Sequence, residues 1–174
     1  MHLENHQINR ASIKWIKRAF VVISLFGVLG VIGIVSAQET TSFSGVAYFA
    51  GEGECMDEEG EGADFALNMT GDLEGCLYVF VAEAECRPHG QYVEVGTELY
   101  VGSGVPGDDG TFETVYRFLA AYEDCPNLAG QIHGRCHHPI VSGSGTGDYR
   151  GIEGRFNMVD DVVAGNVHYA GFYR

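Results

Sequence analysis

Hydrophobic and polar residues alternate with a period of two along most of the chain after residue 40. Residues 111–122 show the alternation most clearly, because aromatic side chains occupy one face of this segment and charged side chains the other. The aromatic face carries Phe112, Tyr116 and Phe118, and the opposite face carries Glu113 and Arg117. Such alternation, rich in aromatic and β-branched residues, is typical of strands with one buried face. We find no convincing amphipathic helix after residue 37.

Turn signals divide this part of the chain into about eight strands. Glycine-rich and turn-rich breaks leave strands near residues 42–50, 63–70, 76–86, 91–102, 110–122, 131–142, 149–160 and 165–174. Connections of about four to eight residues join antiparallel neighbours, since parallel crossovers need a dozen or more. We therefore predict an all-β fold, a closed antiparallel barrel of about eight strands, because closure removes both exposed edges. A two-sheet sandwich is the alternative. An eight-stranded barrel is just wide enough for a packed interior or one small ligand.

Residues 1–37 differ in character from the rest of the chain. A net-positive opening precedes the uncharged run Ala19–Val35, and Val35-Ser36-Ala37 provides short side chains before Gln38. This order predicts a signal peptide cleaved after Ala37. An uncleaved N-terminal membrane anchor is the alternative, because the 17 apolar residues reach the lower limit for spanning a bilayer. We expect residues 38–174 to form a single barrel domain that is secreted, periplasmic or held outside the cytoplasm by the anchor.

All five cysteines follow the predicted leader, as expected for an oxidising compartment. No pair is spaced as C-x-x-C and no Cys/His group offers four zinc ligands, so we expect disulfides and no metal. In a barrel of this kind the connections after strands one, three and five share one rim. Cys55, Cys86 and Cys125 would lie there, whereas Cys76 begins strand three at the other end. We predict one disulfide, Cys86–Cys125, with Cys55–Cys86 as the alternative, and a buried Cys136 without a nucleophilic role.

The chain is strongly acidic, with a formal net charge of −14. Residues 38–174 contain six arginines, no lysine and 23 acidic residues. A surface of that sign repels phosphate backbones and anionic lipids, so we expect no nucleic-acid partner and membrane contact only through an uncleaved leader. Residues 51–64 hold seven of the acids. They predict a solvated rim loop, and a calcium site is the alternative, although the EF-hand pattern is not met.

The segment Ser144–Phe156 has the sequence SGTGDYRGIEGRF, a G-T-G-x-aromatic-x-G-x-x-G pattern followed by a strand. It resembles the signature hairpin of allene oxide cyclase-like barrels, a group that includes dirigent proteins and bacterial spirotetronate-type cyclases. Residues 110–118 and 134–140 resemble a bacterial secreted branch of this group. The resemblance implies a barrel whose lumen shapes a hydrophobic substrate or steers a coupling reaction. No working residue of the family has a match here, so the resemblance implies no catalytic residue and no cofactor.

The orientation of strand five decides the character of the lumen. If Phe112, Tyr116 and Phe118 point inward, the lumen is aromatic and is either packed or suited to an apolar guest. If Glu113 and Arg117 point inward instead, the lumen is polar and suits an acid–base site. We favour the aromatic lumen. A slip of one residue in the register exchanges the two faces.

Strand six carries the remaining candidate chemistry. His133, Arg135 and His137 share one face, and Cys136 and His138 share the other. The same-face histidines lie about 13 Å apart on a strand, too far to hold one metal ion. In the predicted antiparallel pairing of strands five and six, residues 116–118 lie opposite residues 134–137. The candidate ligand-binding residues are therefore Phe112, Tyr116, Phe118, Arg117, Arg135 and His137.

Two functions fit these observations. The first, which we favour, is a non-catalytic exported barrel that binds a small apolar molecule or serves as an interaction module. The second is a cofactor-independent cyclase or isomerase that acts on a hydrophobic substrate in the lumen. A packed interior excludes the enzyme, whereas polar groups that converge on empty volume favour it. The sequence is compatible with an oligomer but does not count the subunits.

Overall fold

The computed structural model describes residues 39–174, so the predicted leader lies outside the described residues. Eight strands form one closed antiparallel barrel in sequence order, and the first strand pairs with the last. The strands are β1 (Thr41–Phe49), β2 (Phe65–Gly71), β3 (Leu73–Arg87), β4 (Gln91–Gly104), β5 (Gly107–Asp124), β6 (Ala129–Pro139), β7 (Gly154–Asp161) and β8 (Asn166–Tyr173). The predicted closed barrel is confirmed, and the sandwich is wrong. Within residues 39–174, no helix is long and apolar enough to cross a membrane.

The largest difference from the predicted strands lies before β7, which begins at Gly154 rather than near residue 149. Gly147–Tyr149 forms a short 3-10 helix instead. Tyr149 is fully buried, and its ring lies 5.6 Å from the ring of Tyr100 and 5.3 Å from that of Phe112. The Tyr149 side chain therefore fills part of the barrel interior, and Tyr149 is not a strand residue.

One half of the barrel interior is filled by side chains. This packed half lies toward the connections that follow β2, β4 and β6, and it includes Phe43, Leu73, Tyr100, Phe112, Tyr149, Phe156 and Tyr169. The Tyr169 hydroxyl donates to the Thr70 carbonyl at 3.0 Å and accepts from the Leu73 amide at 2.9 Å. A Cβ atom at Gly45 would overlap both this hydroxyl and the Thr70 carbonyl. Glycine at this position is what allows the Tyr169 ring to lie beneath β1.

Two disulfides link the described chain, Cys86–Cys125 and Cys55–Cys76. The first is the predicted rim pair, whereas the alternative Cys55–Cys86 and the placement of Cys76 at the other end of the barrel are wrong. Cys76 pairs with Asn68, and Asn68 pairs with Tyr48 near the end of β1. Because β2 is only seven residues long, Cys76 lies beside the loop that carries Cys55 and not at the far end of the barrel. The two disulfides indicate an oxidising, extracytoplasmic environment.

The acidic loop of residues 51–64 packs across the outer face of β3. Its residue Asp57 accepts a hydrogen bond of 2.6 Å from the Tyr78 hydroxyl, and Gly60 lies directly against the Tyr78 ring. Burial, together with this hydrogen bond to Asp57, raises the pKa of Tyr78 to about 12. Most of the loop's side chains are exposed, as predicted. Cys55 and Gly60 also hold the loop against the barrel.

Replacing Cys55 and Cys76 together with serine is expected to lower the free energy of unfolding by about 2–3 kcal/mol. The bridge closes a loop between residues 21 positions apart, which restricts the unfolded chain. Urea denaturation of the double variant measures the change. Cys136→Ser removes a thiol but no bridge and serves as the control, with a change within about 1 kcal/mol. Equal stability of the double variant and the wild type would contradict the prediction.

Candidate functional site

The other half of the barrel interior encloses a cavity of about 400 Å³. It reaches the rim formed by the end of β1 and by the connections that follow β5 and β7, where Leu128, Val162 and Gly165 line it. Six aromatic side chains contribute to its wall: Phe49, Phe65, Tyr92, Tyr116, Phe118 and Tyr122. The barrel is therefore packed at one end and hollow at the other.

The polar groups of the cavity come mainly from the inward face of β4. Alternation along this strand turns Tyr92, Glu94 and Glu98 into the lumen, while Val93 and Val95 line a depression on the outer surface. Between the two glutamates lies Gly96, where a Cβ atom would approach the Tyr116 ring to 2.7 Å. The glycine thus makes room for the Tyr116 ring beside the carboxylates.

A buried hydrogen-bonded group lies at the inner end of the cavity. His138 Nδ1 lies 2.6 Å from Glu98 Oε2, and the Thr114 hydroxyl donates to the same oxygen. The His138 and Glu98 side chains are only 1% and 3% exposed. An ionised carboxylate only accepts hydrogen bonds, so Nδ1 carries the proton that it shares with Glu98. In a neutral imidazole this arrangement leaves a lone pair on the other ring nitrogen, Nε2.

The imidazole of His138 is fixed between aromatic rings. It stacks on Phe156 with ring centroids 4.5 Å apart and an interplanar angle of 1°, and it faces Tyr116 at 6.3 Å. Its Nε2 atom is buried and has no hydrogen-bond partner within residues 39–174. Because buried polar atoms are nearly always paired, this unpaired nitrogen marks the ring as a candidate contact for a ligand.

A second carboxylate lies nearer the mouth. Glu94 accepts a hydrogen bond of 2.6 Å from the Tyr92 hydroxyl and one of 2.8 Å from the Tyr116 hydroxyl. Burial, followed by the hydrogen bond to Glu94, raises the pKa of both tyrosines well above the ordinary value. Both phenols therefore stay protonated and act as donors to Glu94 at neutral pH.

A third carboxylate, Asp160, enters the cavity from β7. The Gln131 side-chain amide donates to it, and a Cβ atom at Gly134 would overlap its carboxylate oxygen. Burial raises the pKa of Asp160, and the hydrogen bond from Gln131 and the electrostatic effect of His133 oppose this rise only in part. No arginine of residues 39–174 lines the cavity beside Asp160.

Replacing Asp160 with asparagine is expected to increase the free energy of unfolding at pH 7. A carboxyl group whose pKa is raised in the folded state releases its proton on unfolding, so its ionisation destabilises the fold as pH rises above about 4. Asparagine does not ionise, and its side-chain oxygen still accepts the Gln131 hydrogen bond. Urea denaturation at pH 7 and at pH 4 measures the gain, which should vanish at the lower pH. A variant less stable than the wild type at pH 7 would contradict the prediction.

The structure separates the six candidate residues of the sequence into three places. Tyr116 and Phe118 line the cavity, whereas Phe112 is fully buried in the packed half. Arg117, Arg135 and His137 are exposed on the outer surface of the barrel. Arg117 lines the outer depression formed by β3 and β4.

Sequence reasoning did not select the polar residues of the cavity as site residues. Those residues are Glu94, Glu98, His138 and Asp160. Alternation along the strands was the signal for Glu94, Glu98 and His138. It puts both glutamates on the face of Tyr92 and puts His138 on the face of Cys136. Alternation along β7 likewise puts Asp160 on the face of Phe156 and Met158.

No protein-family model and no curated protein sequence matches this chain. Within the described range, no group of three or more His, Cys, Asp or Glu side chains is arranged to hold a metal ion. The cavity instead combines an aromatic wall with carboxylates and a histidine nitrogen that can accept a hydrogen bond. Such a site can enclose a small molecule, orient it through a few polar contacts and accept a proton from it.

Proposed function

We propose that this protein is an exported, disulfide-linked barrel that binds a small and mainly apolar molecule in its cavity. The half-filled interior is the observation that carries the proposal. Concave, mostly apolar sites with a few convergent polar groups are typical of small-molecule binding, and a volume of about 400 Å³ lies in their usual range. An interior that served only as a core would instead be packed throughout.

Two further observations support the same function. The predicted leader and the two disulfides support export to an oxidising compartment. The resemblance of residues 144–156 to allene oxide cyclase-like barrels is the basis on which we propose membership of that group. Such membership fits a lumen that holds a hydrophobic molecule.

Binding of N-phenyl-1-naphthylamine, a neutral dye that fluoresces in apolar surroundings, tests the proposal. The wild type is expected to bind the dye at one site per barrel. Cys136→Phe is expected to abolish this binding, because Cys136 is half-buried and faces the middle of the cavity. The matched control is Val159→Phe, which adds a ring to an exposed position on the outer surface and should leave binding unchanged.

Two results would contradict the binding function. The first is an absence of saturable dye binding to a folded wild type. The second is equal loss of binding in the Cys136→Phe and Val159→Phe variants. Either result would favour an interaction module whose surface, rather than its lumen, carries the function.

The His138–Glu98 pair favours one second candidate, a cofactor-independent isomerase or cyclase. His138 Nε2 could remove a proton from a carbon next to a carbonyl group, and Glu98 would stabilise the imidazolium that results. The pair has the geometry of a base and its orienting carboxylate, at 2.6 Å and almost fully buried. The aromatic wall would meanwhile hold a flexible substrate in one shape.

Hydrogen–deuterium exchange into 2-tetralone, an enolisable bicyclic ketone, tests this candidate. In heavy water the wild type should accelerate exchange next to the carbonyl, and His138→Gln should abolish the acceleration. Mass spectrometry of the recovered ketone measures the exchange. A wild type no faster than the His138→Gln variant would favour binding without catalysis.

A further inference from the structure

We propose that the ligand of this cavity is an organic cation, an apolar body that carries a protonated amine or a quaternary ammonium group. This inference rests on the proposed binding function and names the chemistry of the ligand. Its basis is that the buried polar surface of the cavity offers acceptors and negative charge but no cationic side chain other than histidine.

Unpaired acceptors supply the first part of the argument. Within the part of the chain that the structure describes, His138 Nε2 and Asn166 Oδ1 are buried and have no hydrogen-bond partner, and both residues line the cavity. The Nδ1 proton of His138 is already shared with Glu98, so in a neutral imidazole Nε2 presents a lone pair. Two unpaired acceptors in one cavity suit a ligand that donates hydrogen bonds or brings positive charge.

The uncompensated charge of the wall supplies the second part. Four carboxylates line the cavity, Glu94, Glu98, Asp160 and Asp161, and none of the arginines in residues 39–174 does. Burial first, and then the carboxylates of Glu98, Glu94 and Asp160, raise the pKa of the Cys136 thiol. These three negative groups therefore all act on the Cys136 thiol, which lines the cavity. Buried charges require a partner of opposite sign, and for Glu94 and Asp160 the cavity wall provides none.

An aromatic cage supplies the third part. The ring of Tyr92 meets that of Phe118 edge-on at 6.2 Å and that of Tyr122 at 5.8 Å, with interplanar angles of 69° and 85°. Rings set at right angles beside a carboxylate form the arrangement that attracts ammonium groups to aromatic faces. Here the carboxylate is Glu94, which is held by the Tyr92 hydroxyl.

The charge of the whole domain favours the same class of ligand. Residues 38–174 contain 23 acidic residues against six arginines, and Asp160 and Asp161 end β7 at the cavity mouth. A field of this sign concentrates cations at the mouth and repels anions. An anionic ligand such as a fatty acid would meet buried carboxylates without a counter-ion, which is strongly unfavourable.

A pair of ligands with the same shape tests the inference. Phenyltrimethylammonium and tert-butylbenzene differ in one central atom and in charge, and each can be titrated against the bound naphthylamine dye. We expect the cation to bind about tenfold or more tightly than its neutral isostere. Benzenesulfonate, the anionic comparison, should not displace the dye.

Variants show whether the preference arises in the cavity. Glu94→Gln is expected to weaken phenyltrimethylammonium binding several-fold and to leave tert-butylbenzene binding unchanged. The matched control is Glu113→Gln, which removes the same charge from an exposed position on β5 and should change neither affinity. If Glu94→Gln does not fold, Asp160→Asn carries the same test.

The outcomes distinguish this inference from the binding function. If the dye binds but the neutral isostere displaces it as well as the cation does, or if neither displaces it, the cationic ligand is wrong and the binding function stands. If Glu113→Gln weakens the cation as much as Glu94→Gln, the preference comes from overall charge and the inference is also wrong. If no dye binds in the cavity, the binding function itself fails.

Discussion

Replacing Glu98 with alanine is expected to lower the free energy of unfolding by about 3–5 kcal/mol. Glu98 is 3% exposed, and its Oε2 atom accepts hydrogen bonds from both His138 Nδ1 and the Thr114 hydroxyl. The substitution would leave two buried donors without a partner and would open a void between β4 and β5. Each unsatisfied buried group costs about 1–3 kcal/mol.

Urea denaturation at neutral pH measures the effect of the Glu98 substitution. Glu98→Gln retains an acceptor oxygen at the same place and should recover part of the loss. Glu113→Ala removes an exposed carboxylate from the neighbouring strand and should change stability by no more than about 0.5 kcal/mol. If Glu98→Ala proved as stable as Glu113→Ala, the buried group at the inner end of the cavity would not exist in the form described.

Replacing Phe156 with alanine is expected to cost about 3–5 kcal/mol. Phe156 is fully buried where the packed half meets the cavity. Its ring lies 5.9 Å from that of Phe43, 6.4 Å from that of Tyr169 and 4.5 Å from the His138 imidazole. The substitution would remove a ring that supports three others, and a closed barrel cannot collapse around the space that is left.

Phe172→Ala, on the partner strand of the same hairpin, is the control for Phe156. Phe172 is 36% exposed and packs against the Arg155 guanidinium on the outer surface. Its loss should cost no more than about 1 kcal/mol, which thermal or urea denaturation of both variants would measure. If the two substitutions cost the same, the interior would not be packed at this end.

Much of the fold could be predicted because period-two alternation and short turns are local properties of the chain. Phe112, Tyr116 and Phe118 point inward, as favoured, since a strand with one buried face turns its aromatic side there. The aromatic side of β4 also faces inward, with Tyr92 and Tyr100. Hydrophobicity alone misleads on this strand, because Val93 and Val95 face outward while Glu94 and Glu98 face inward. The sequence of β4 does not show that hydrogen-bond donors on other strands lie beside these carboxylates inside the barrel.

The features that could not be predicted depend on which residues of distant strands lie side by side in the barrel. Arg135 and His137 lie outside because the side of β6 that meets the lumen carries Cys136 and His138. Arg117 lies outside because the lumen side of β5 carries Tyr116 and Phe118. The Cys55–Cys76 bridge depends on β2 being shorter than its neighbours, which turn signals do not specify to one residue. The packed half of the interior includes the Tyr149 side chain, and Tyr149 lies in a 3-10 helix rather than in the predicted strand.

A crystal soaked in bromobenzene tests the half-hollow barrel most directly, because the anomalous signal of bromine locates the ligand without reference to the rest of the density. We predict one bromine site inside the barrel, among Phe118, Cys136 and Val167. No bromine should occur among Phe112, Tyr149 and Phe156, where side chains fill the interior. Bromine bound only on the outer surface, or an interior filled with side chains at both ends, would contradict the account.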